Sequence, residues 1–106
     1  MKLGEFELLV LLAILRNETT PYANTIRQDL VKNAHRKVTR GALYRTLDRL
    51  KEKGLVEWEM TPSQVPDRGG HPMRKLLVTS EGLAAAHQSN AVLQRFLSTL
   101  DSKAGA

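Results

Sequence analysis

The chain has 106 residues, no cysteine, 42% hydrophobic residues and a formal net charge of +5. Its length favours a single domain, and the absence of cysteine excludes a disulfide framework and thiolate metal sites. The apolar run from Leu8 to Leu15 is too short to cross a bilayer, and Glu5 and Glu7 stand where a secretory signal would carry basic residues. We therefore expect a cytoplasmic protein without a membrane segment.

The positive charge is concentrated in the middle of the chain. Residues 21–80 contain twelve lysines and arginines against six acidic residues, a net of twelve minus six, or +6, whereas the remaining residues carry four against five. Such a basic segment is typical of proteins that bind phosphate backbones or another anionic surface. The two flanks are expected to serve another purpose.

The first predicted element is a helix over residues 1–16 with two apolar stripes. One stripe comprises Phe6, Leu9, Val10 and Ala13, and the other comprises Leu8, Leu11, Leu12 and Leu15. Because a helix that is apolar nearly all round needs cover on more than one side, we expect a second subunit to cover the second stripe. A later helix of the same chain is the alternative cover.

A second helix is predicted from Thr20 and Pro21 to about Lys32. Threonine is a favourable N-cap, and proline suits the first helical position. The buried stripe of this helix is predicted to comprise Ala23, Ile26, Leu30 and Val31. A short connection then leads to a third helix, which is the order that a helix-turn-helix requires.

The third helix is predicted from Thr39 to Gly54. The Thr39 hydroxyl can cap the first turn, and Gly54 can take the left-handed conformation that ends a helix. Its apolar stripe comprises Leu43, Leu47 and Leu50. The opposite face carries polar, aromatic and small residues, namely Arg40, Gly41, Tyr44, Arg45, Asp48 and Arg49. Guanidinium groups near a helix N-terminus suit a polyanion such as DNA, although a solvated basic face explains the same pattern.

A hairpin is predicted after the third helix. Val56, Trp58 and Met60 alternate with glutamates, which indicates a strand with one buried face. Residues 62–72 are rich in proline and glycine and predict a loop, and the partner strand is expected from Met73 to Thr79. The hairpin tip is basic and flexible in composition, and it comprises Arg68, Gly69, Gly70, His71, Arg74 and Lys75. We expect this tip to lie along a DNA groove, with an ordinary solvated loop as the alternative.

The last predicted helix opens at Thr79, Ser80 and Glu81 and runs to about Leu100. Nothing else in the sequence remains to cover its apolar distal half, so we expect it to pack on the first helix of a second subunit. The predicted dimer contacts are apolar residues of both flanks, namely Leu8, Leu12, Leu15, Leu93, Phe96, Leu97 and Leu100.

Catalytic sites are not expected. His35, His71 and His87 lie in different predicted elements without the spacing of a metal site. The pair Gly69-Gly70 lacks the lysine of a nucleotide-binding loop, and Ser80 lacks the histidine and aspartate that would activate a nucleophile. We expect no enzymatic activity, no metal and no cofactor.

Two runs of the sequence are similar to those of a known family. The segment from Gly41 to Val56, GALYRTLDRLKEKGLV, resembles the recognition-helix signature of the PadR family of transcriptional regulators. The segment from Arg68 to Gly82, RGGHPMRKLLVTSEG, resembles the wing of that family and the entry to its last helix. With the apolar first helix, the resemblance covers nearly the whole chain. It implies a mainly α fold with a small β-hairpin.

The resemblance also implies an organisation and a function. A winged helix-turn-helix is expected over residues 1–79, with the wing at about 56–79, followed in the same domain by a C-terminal dimerisation helix and tail over 80–106. The implied function is that of a homodimeric, repressor-like protein that binds an inverted repeat in double-stranded DNA.

Residue roles can be assigned on the same basis. Phosphate contacts are expected from Lys37, Arg49, Arg68 and Arg74. Contacts near base edges are expected from Thr39, Arg40, Tyr44 and Arg45, and Gly70 and His71 complete the wing. Position 45 is often proline in this family, so Arg45 can add a contact that relatives lack.

The effector and the exact function stay open at this stage. Some relatives bind aromatic effectors between tryptophans of the final helix, whereas Trp58 lies on the wing strand, so any small-molecule effector is unknown. A winged-helix protein-interaction module and a non-specific chromosome-binding protein are alternative functions. The basic and aromatic face of the third helix favours DNA over a protein partner.

Overall fold

The structure, a computed structural model, describes residues 2–62 and 73–103. Its elements are, in chain order, α1 (Glu5–Arg16), α2 (Ala23–Asn33), α3 (Arg40–Glu52), β1 (Val56–Thr61), β2 (Met73–Val78) and α4 (Ser80–Lys103). The two strands pair antiparallel as a hairpin. The predicted mainly α fold, a winged helix-turn-helix followed by a long helix, is confirmed. No helix within the described residues has the combined length and apolarity needed to cross a bilayer.

Helix α1 begins at Glu5, later than the predicted start at residue 1. Gly4 is the extended N-cap, and its amide donates to Glu7 Oε1 at 2.9 Å. This bond satisfies one of the amides that a helix start would otherwise leave unpaired. The helix therefore has a specified start one turn inside the predicted one.

The buried face of α1 comprises Glu7, Val10, Leu11, Ala13 and Ile14. Leu11 is thus covered within its own chain, so the expectation that a second subunit covers its whole stripe is wrong for this residue. Leu12 is 43% exposed, and Leu8 and Leu15 are half-buried. The exposed part of the stripe is therefore narrower than predicted.

Helix α2 begins at Ala23, so the predicted start at Thr20 and Pro21 is wrong. The Pro21 carbonyl accepts a hydrogen bond from the Leu76 amide at 2.8 Å, and Tyr22 forms an isolated antiparallel bridge with β2. Pro21 and Tyr22 therefore lie beside β2, on the edge that does not pair with β1. Because the Pro21 carbonyl is committed to β2, the first helical hydrogen bond goes to the next carbonyl, that of Tyr22, which accepts from the Ile26 amide at 3.0 Å.

One apolar core lies between α1, α2, α3, the base of the hairpin and the start of α4. Its largest fully buried side chains are those of Val10, Leu11, Ile26, Leu43, Leu47, Leu50, Leu55 and Val56. The predicted stripe of α3 is confirmed. Val31 is 43% exposed and Met60 is 57% exposed, so their predicted burial is wrong. Along the face of β1 that carries Val56, Trp58 and Met60, burial decreases from buried through half-buried to exposed.

Helix α4 is buried at its start and exposed over its second half. Gly82, Ala85 and Ala86 are its buried residues, whereas every residue from 90 to 103 is exposed. The exposed set includes large apolar side chains, namely Val92, Leu93, Phe96, Leu97 and Leu100. The described part of this chain leaves the distal half of α4 uncovered, as predicted.

Candidate nucleic-acid interface

The N-terminus of α3 is fixed by two hydrogen bonds. Thr39 Oγ1 accepts from the Ala42 amide at 3.1 Å, which confirms the predicted N-cap. One residue earlier, the carbonyl of the buried Val38 accepts from Arg27 Nε at 2.9 Å, so α2 holds the turn that leads into the helix. The first turn of α3 therefore projects from a defined anchor, with Thr39 and Arg40 exposed.

The exposed face of α3 presents the arginines that the sequence singled out. Arg45 is exposed, and its Nη1 lies 3.3 Å from the position that a Cβ at Gly41 would take. The small Gly41 thus leaves room for the Arg45 side chain to lie back along the helix. Arg49 Nη2 donates to Thr46 Oγ1 at 3.2 Å, so part of its guanidinium is already used within the helix.

The connection between α2 and α3 carries two adjacent basic residues with different environments. Arg36 Nη1 lies 2.5 Å from Glu5 Oε1, and its guanidinium carbon lies 5.2 Å from the centre of the Phe6 ring. Arg36 therefore ties the connection to the start of α1. Lys37 is exposed, and it remains the candidate phosphate contact of this segment.

Arg74 lies between the hairpin and α3. Its guanidinium carbon is 4.6 Å from the centre of the Tyr44 ring and 4.4 Å from the centre of the Trp58 ring. Its Nη1 is 3.4 Å from Asp48 Oδ1. The sequence analysis placed Arg74 among the phosphate contacts and did not predict these protein contacts.

A sequence signal for this contact does exist. In the hairpin register, Arg74 faces Met60 and Leu76 faces Trp58, so Arg74 and Trp58 are diagonal neighbours across the strands. Diagonal neighbours are within reach of aromatic and long side chains. A prediction of the register would therefore have paired Arg74 with Trp58.

The remaining predicted wing contacts cannot be placed. Arg68, Gly70 and His71 lie outside the described residues, and their contacts with DNA stay a prediction. Within residues 2–62 and 73–103, no group of three or more histidine, cysteine or acidic side chains is arranged to hold a metal ion.

Negative charge gathers on another side of the hairpin. A cleft of about 610 Å³ lies between the end of α1 and the two strands, and its lining includes Glu18, Glu57 and Glu59. The α3 arginines do not line this cleft. The α3 arginines are thus apart from this acidic cleft, which the basic Lys75 of β2 also lines.

Two of the predicted dimer contacts on α1 border different clefts, because Leu15 lines the cleft beside the hairpin. Leu8 borders, together with Val92 and Leu93, a cleft of about 540 Å³ between the start of the chain and α4. Further along α4, Phe96 is 74% exposed and Leu100 is 63% exposed. These side chains form an apolar surface that the described chain leaves open.

Known proteins share both the sequence pattern and the architecture. A family model described as the transcriptional regulator PadR-like family matches residues 11–88. A PadR-like transcription factor from Bacteroides fragilis has 28% identity and a TM-score of 0.75, and the match covers 95% of this chain and 91% of that chain.

Other solved structures extend this comparison. A complex structure of hsRosR-S4 has 28% identity and a TM-score of 0.65, with 92% of this chain and 74% of that chain covered. A PadR-like transcriptional regulator from Bacillus cereus has 19% identity and a TM-score of 0.75, with 95% and 92% covered, which supports the fold alone. No curated protein sequence matches the chain.

Proposed function

Because this chain belongs to the PadR-like family of transcriptional regulators, we propose that it is a homodimeric repressor of an inverted-repeat operator in double-stranded DNA. The family consists of DNA-binding transcription regulators and not of enzymes. The observation that carries the proposal is the capped and exposed start of α3, where Arg40 and Arg45 lie beside the positive end of the helix dipole. Positive side chains and amides at one helix end are complementary to phosphates and base edges.

The proposal divides the DNA-contacting residues into three groups. Lys37 and the remaining donors of Arg49 neutralise phosphates, so affinity falls as salt concentration rises. Thr39, Arg40, Tyr44 and Arg45 approach base edges in the major groove, where hydrogen-bond donors discriminate between base pairs. Arg68, Gly70 and His71 of the wing tip contact the adjacent backbone or groove.

The dimer is supported by the uncovered apolar surface of α1 and α4. A face that includes Phe96 and Leu100 at 74% and 63% exposure is unfavourable in water for a monomer. A second copy related by twofold symmetry covers it with the same residues. The two recognition helices then lie about one helical turn of DNA apart, roughly 34–36 Å.

The test compares the DNA upstream of the protein's own gene with random duplex of equal length, at fixed physiological salt. Operator recognition predicts a preference on the order of 10³-fold or more for the upstream DNA. Equal and measurable affinities favour a non-specific chromosome-binding protein. The absence of binding to either duplex favours a protein-interaction module.

A further inference from the structure

We propose that Arg74 is a positioning residue that fastens the wing to the recognition helix, and that it does not neutralise a DNA phosphate. The inference rests on the proposed DNA-binding function, because it concerns the two elements that face DNA. It changes the role of Arg74 from a ligand contact to an internal clamp made by Tyr44, Arg74 and Trp58.

The geometry of the clamp joins three elements. The guanidinium of Arg74, on β2, lies 4.6 Å from the ring centre of Tyr44 on α3 and 4.4 Å from that of Trp58 on β1. Both separations are within the range of about 6 Å at which a cation is attracted to an aromatic ring. A planar guanidinium is weakly hydrated and stacks on aromatic faces better than an ammonium does. One side chain can therefore hold the strand and the helix at a fixed separation.

The surroundings of Arg74 disfavour a phosphate. Its side chain is 25% exposed, and the Asp48 carboxylate lies 3.4 Å from Nη1. A phosphate that approached this nitrogen would also approach the Asp48 carboxylate, and the two negative charges would repel each other. Lys75, the next residue on β2, is exposed and provides a natural comparison.

The position of the clamp along the hairpin explains why it matters. At the base of the hairpin, Val56 and Leu76 are 0% and 3% exposed and are anchored in the core. Opposite Arg74 in the register stands Met60, which is 57% exposed, so apolar burial has ended there. The clamp thus keeps the hairpin in contact with α3 at a level where the strands have already left the apolar core. Lys51 Nζ, 4.3 Å from the Trp58 ring centre, adds a second contact from α3 to the same indole.

Loss of the clamp would therefore weaken DNA binding through orientation. A free wing samples many directions relative to α3, and binding has to select one of them, which costs free energy. The number of phosphates neutralised would stay the same. These two consequences distinguish a positioning residue from a phosphate contact.

The first experiment uses the free protein, in which Trp58 is the one tryptophan of the chain. Arg74→Met removes the guanidinium and keeps an unbranched side chain, and Lys75→Met removes a neighbouring charge as the matched control. We expect Arg74→Met to alter the emission maximum and intensity of Trp58, and Lys75→Met to leave both unchanged. Unaltered Trp58 emission in Arg74→Met would overturn the clamp.

The second experiment measures DNA affinity as a function of salt. Arg74→Met is expected to weaken operator binding on the order of tenfold with an unchanged slope of log affinity against log salt. A lost phosphate contact would instead reduce that slope by about 0.9, and this result would overturn the proposal. Arg74→Lys keeps the charge and loses the planar group, so we expect it to bind as weakly as Arg74→Met. Full affinity in Arg74→Lys contradicts the clamp.

A double-mutant cycle completes the test. If Arg74 acts through Trp58, the double variant Arg74→Met/Trp58→Leu binds no more weakly than the weaker single variant. Additive losses would count against the coupling. Should the wild type fail to prefer its operator, the proposed function fails, whereas the Trp58 emission of the free protein still decides whether the clamp exists.

Discussion

Thr79 Oγ1 donates a hydrogen bond to the carbonyl oxygen of Gly54 at 2.7 Å. Thr79 Oγ1 in turn accepts from the Gly82 amide at 3.0 Å, and the Thr79 amide donates to the Leu55 carbonyl at 3.0 Å. One residue therefore ends β2, caps α4 and holds the turn after α3. Gly54 permits this turn because its φ of +76° lies in the left-handed region. These contacts among Gly54, Leu55, Thr79 and Gly82 form a joint between the turn after α3 and the start of α4. The joint fixes the direction in which α4 leaves the winged helix.

The joint leaves no space for a side chain at Gly82. A Cβ there would overlap the Leu55 carbonyl oxygen and lie 2.9 Å from Val78 Cγ1. We expect Gly82→Ala to lower the free energy of unfolding by about 1–3 kcal/mol or more, since backbone has to move. Urea denaturation at fixed protein concentration measures this loss.

Gly41→Ala serves as the control, because its Cβ would meet only the flexible end of Arg45 at 3.3 Å. Alanine favours a helix interior over glycine, so this variant is expected to gain up to about 1 kcal/mol. Equal stability changes at the two glycines would contradict the close packing of α4 on Leu55.

The ion pair between Glu7 and Lys53 predicts a pH dependence. Burial alone would raise the pKa of the Glu7 carboxyl, but bonds from Lys53 Nζ at 2.8 Å and from the Gly4 amide at 2.9 Å outweigh it, and the pKa is lowered from 4.5. A lowered pKa stabilises the fold at pH values above 4.5, and this stabilisation is lost as pH falls through the folded-state pKa.

Glu7→Gln should therefore lower the free energy of unfolding by about 1.5–3 kcal/mol at pH 7, the scale for hydrogen bonds to a charged group. The difference from the wild type should shrink below pH 4.5. Glu59→Gln, at an exposed position on β1, controls for the loss of one charge. A deficit for Glu7→Gln that is independent of pH would show that the ionised pair does not cause it.

Arg45→Ala should weaken operator binding and relax the sequence preference. A contact of a guanidinium with a base contributes about 1–3 kcal/mol of discrimination, so the affinity should fall by roughly five- to 150-fold. Gel-shift titrations against the operator and against variants of it measure both effects. Arg95→Ala removes the same side chain from α4 and should bind normally. Wild-type affinity and preference in Arg45→Ala would remove Arg45 from the contact surface.

Leu97→Glu should dissociate the proposed dimer. Leu97 is 45% exposed in the single chain, and a carboxylate buried against an apolar partner surface loses its hydration without a compensating charge. Sedimentation velocity should show a monomer at concentrations where the wild type is dimeric. Gln94→Glu adds the same charge on the same helix in place of a polar side chain, and it should remain dimeric. An intact Leu97→Glu dimer would place the interface elsewhere.

Helix α3 was predictable because its signals are local. Thr39 caps it, Gly54 ends it, and the leucines between them repeat at helical spacing, so the cap, the stop and the buried stripe were all predicted as observed. None of these features depends on a distant part of the chain. The part of the candidate DNA interface that lies on α3 could therefore be located from the sequence.

The start of α2 was not predictable from the same kind of signal. Thr20 and Pro21 have the local chemistry of a helix start, but Pro21 and Tyr22 pair with β2, more than fifty residues further on, and tertiary pairing overrides the local preference. The role of Arg74 was missed for a related reason. A count of basic residues treats each as free, whereas the structure places this one against Tyr44 and Trp58.

The pairing of Pro21 and Tyr22 with β2 has a consequence for association between copies of the protein. An unpaired strand edge is a template for a strand from another molecule. One edge of β2 is covered by this pairing, and β1, on the other side of the hairpin, carries the exposed Glu57 and Glu59. Two such edges brought together would oppose like charges, which is unfavourable between paired strands. Sheet extension from one molecule to the next is thereby discouraged, and self-association is directed to the helices.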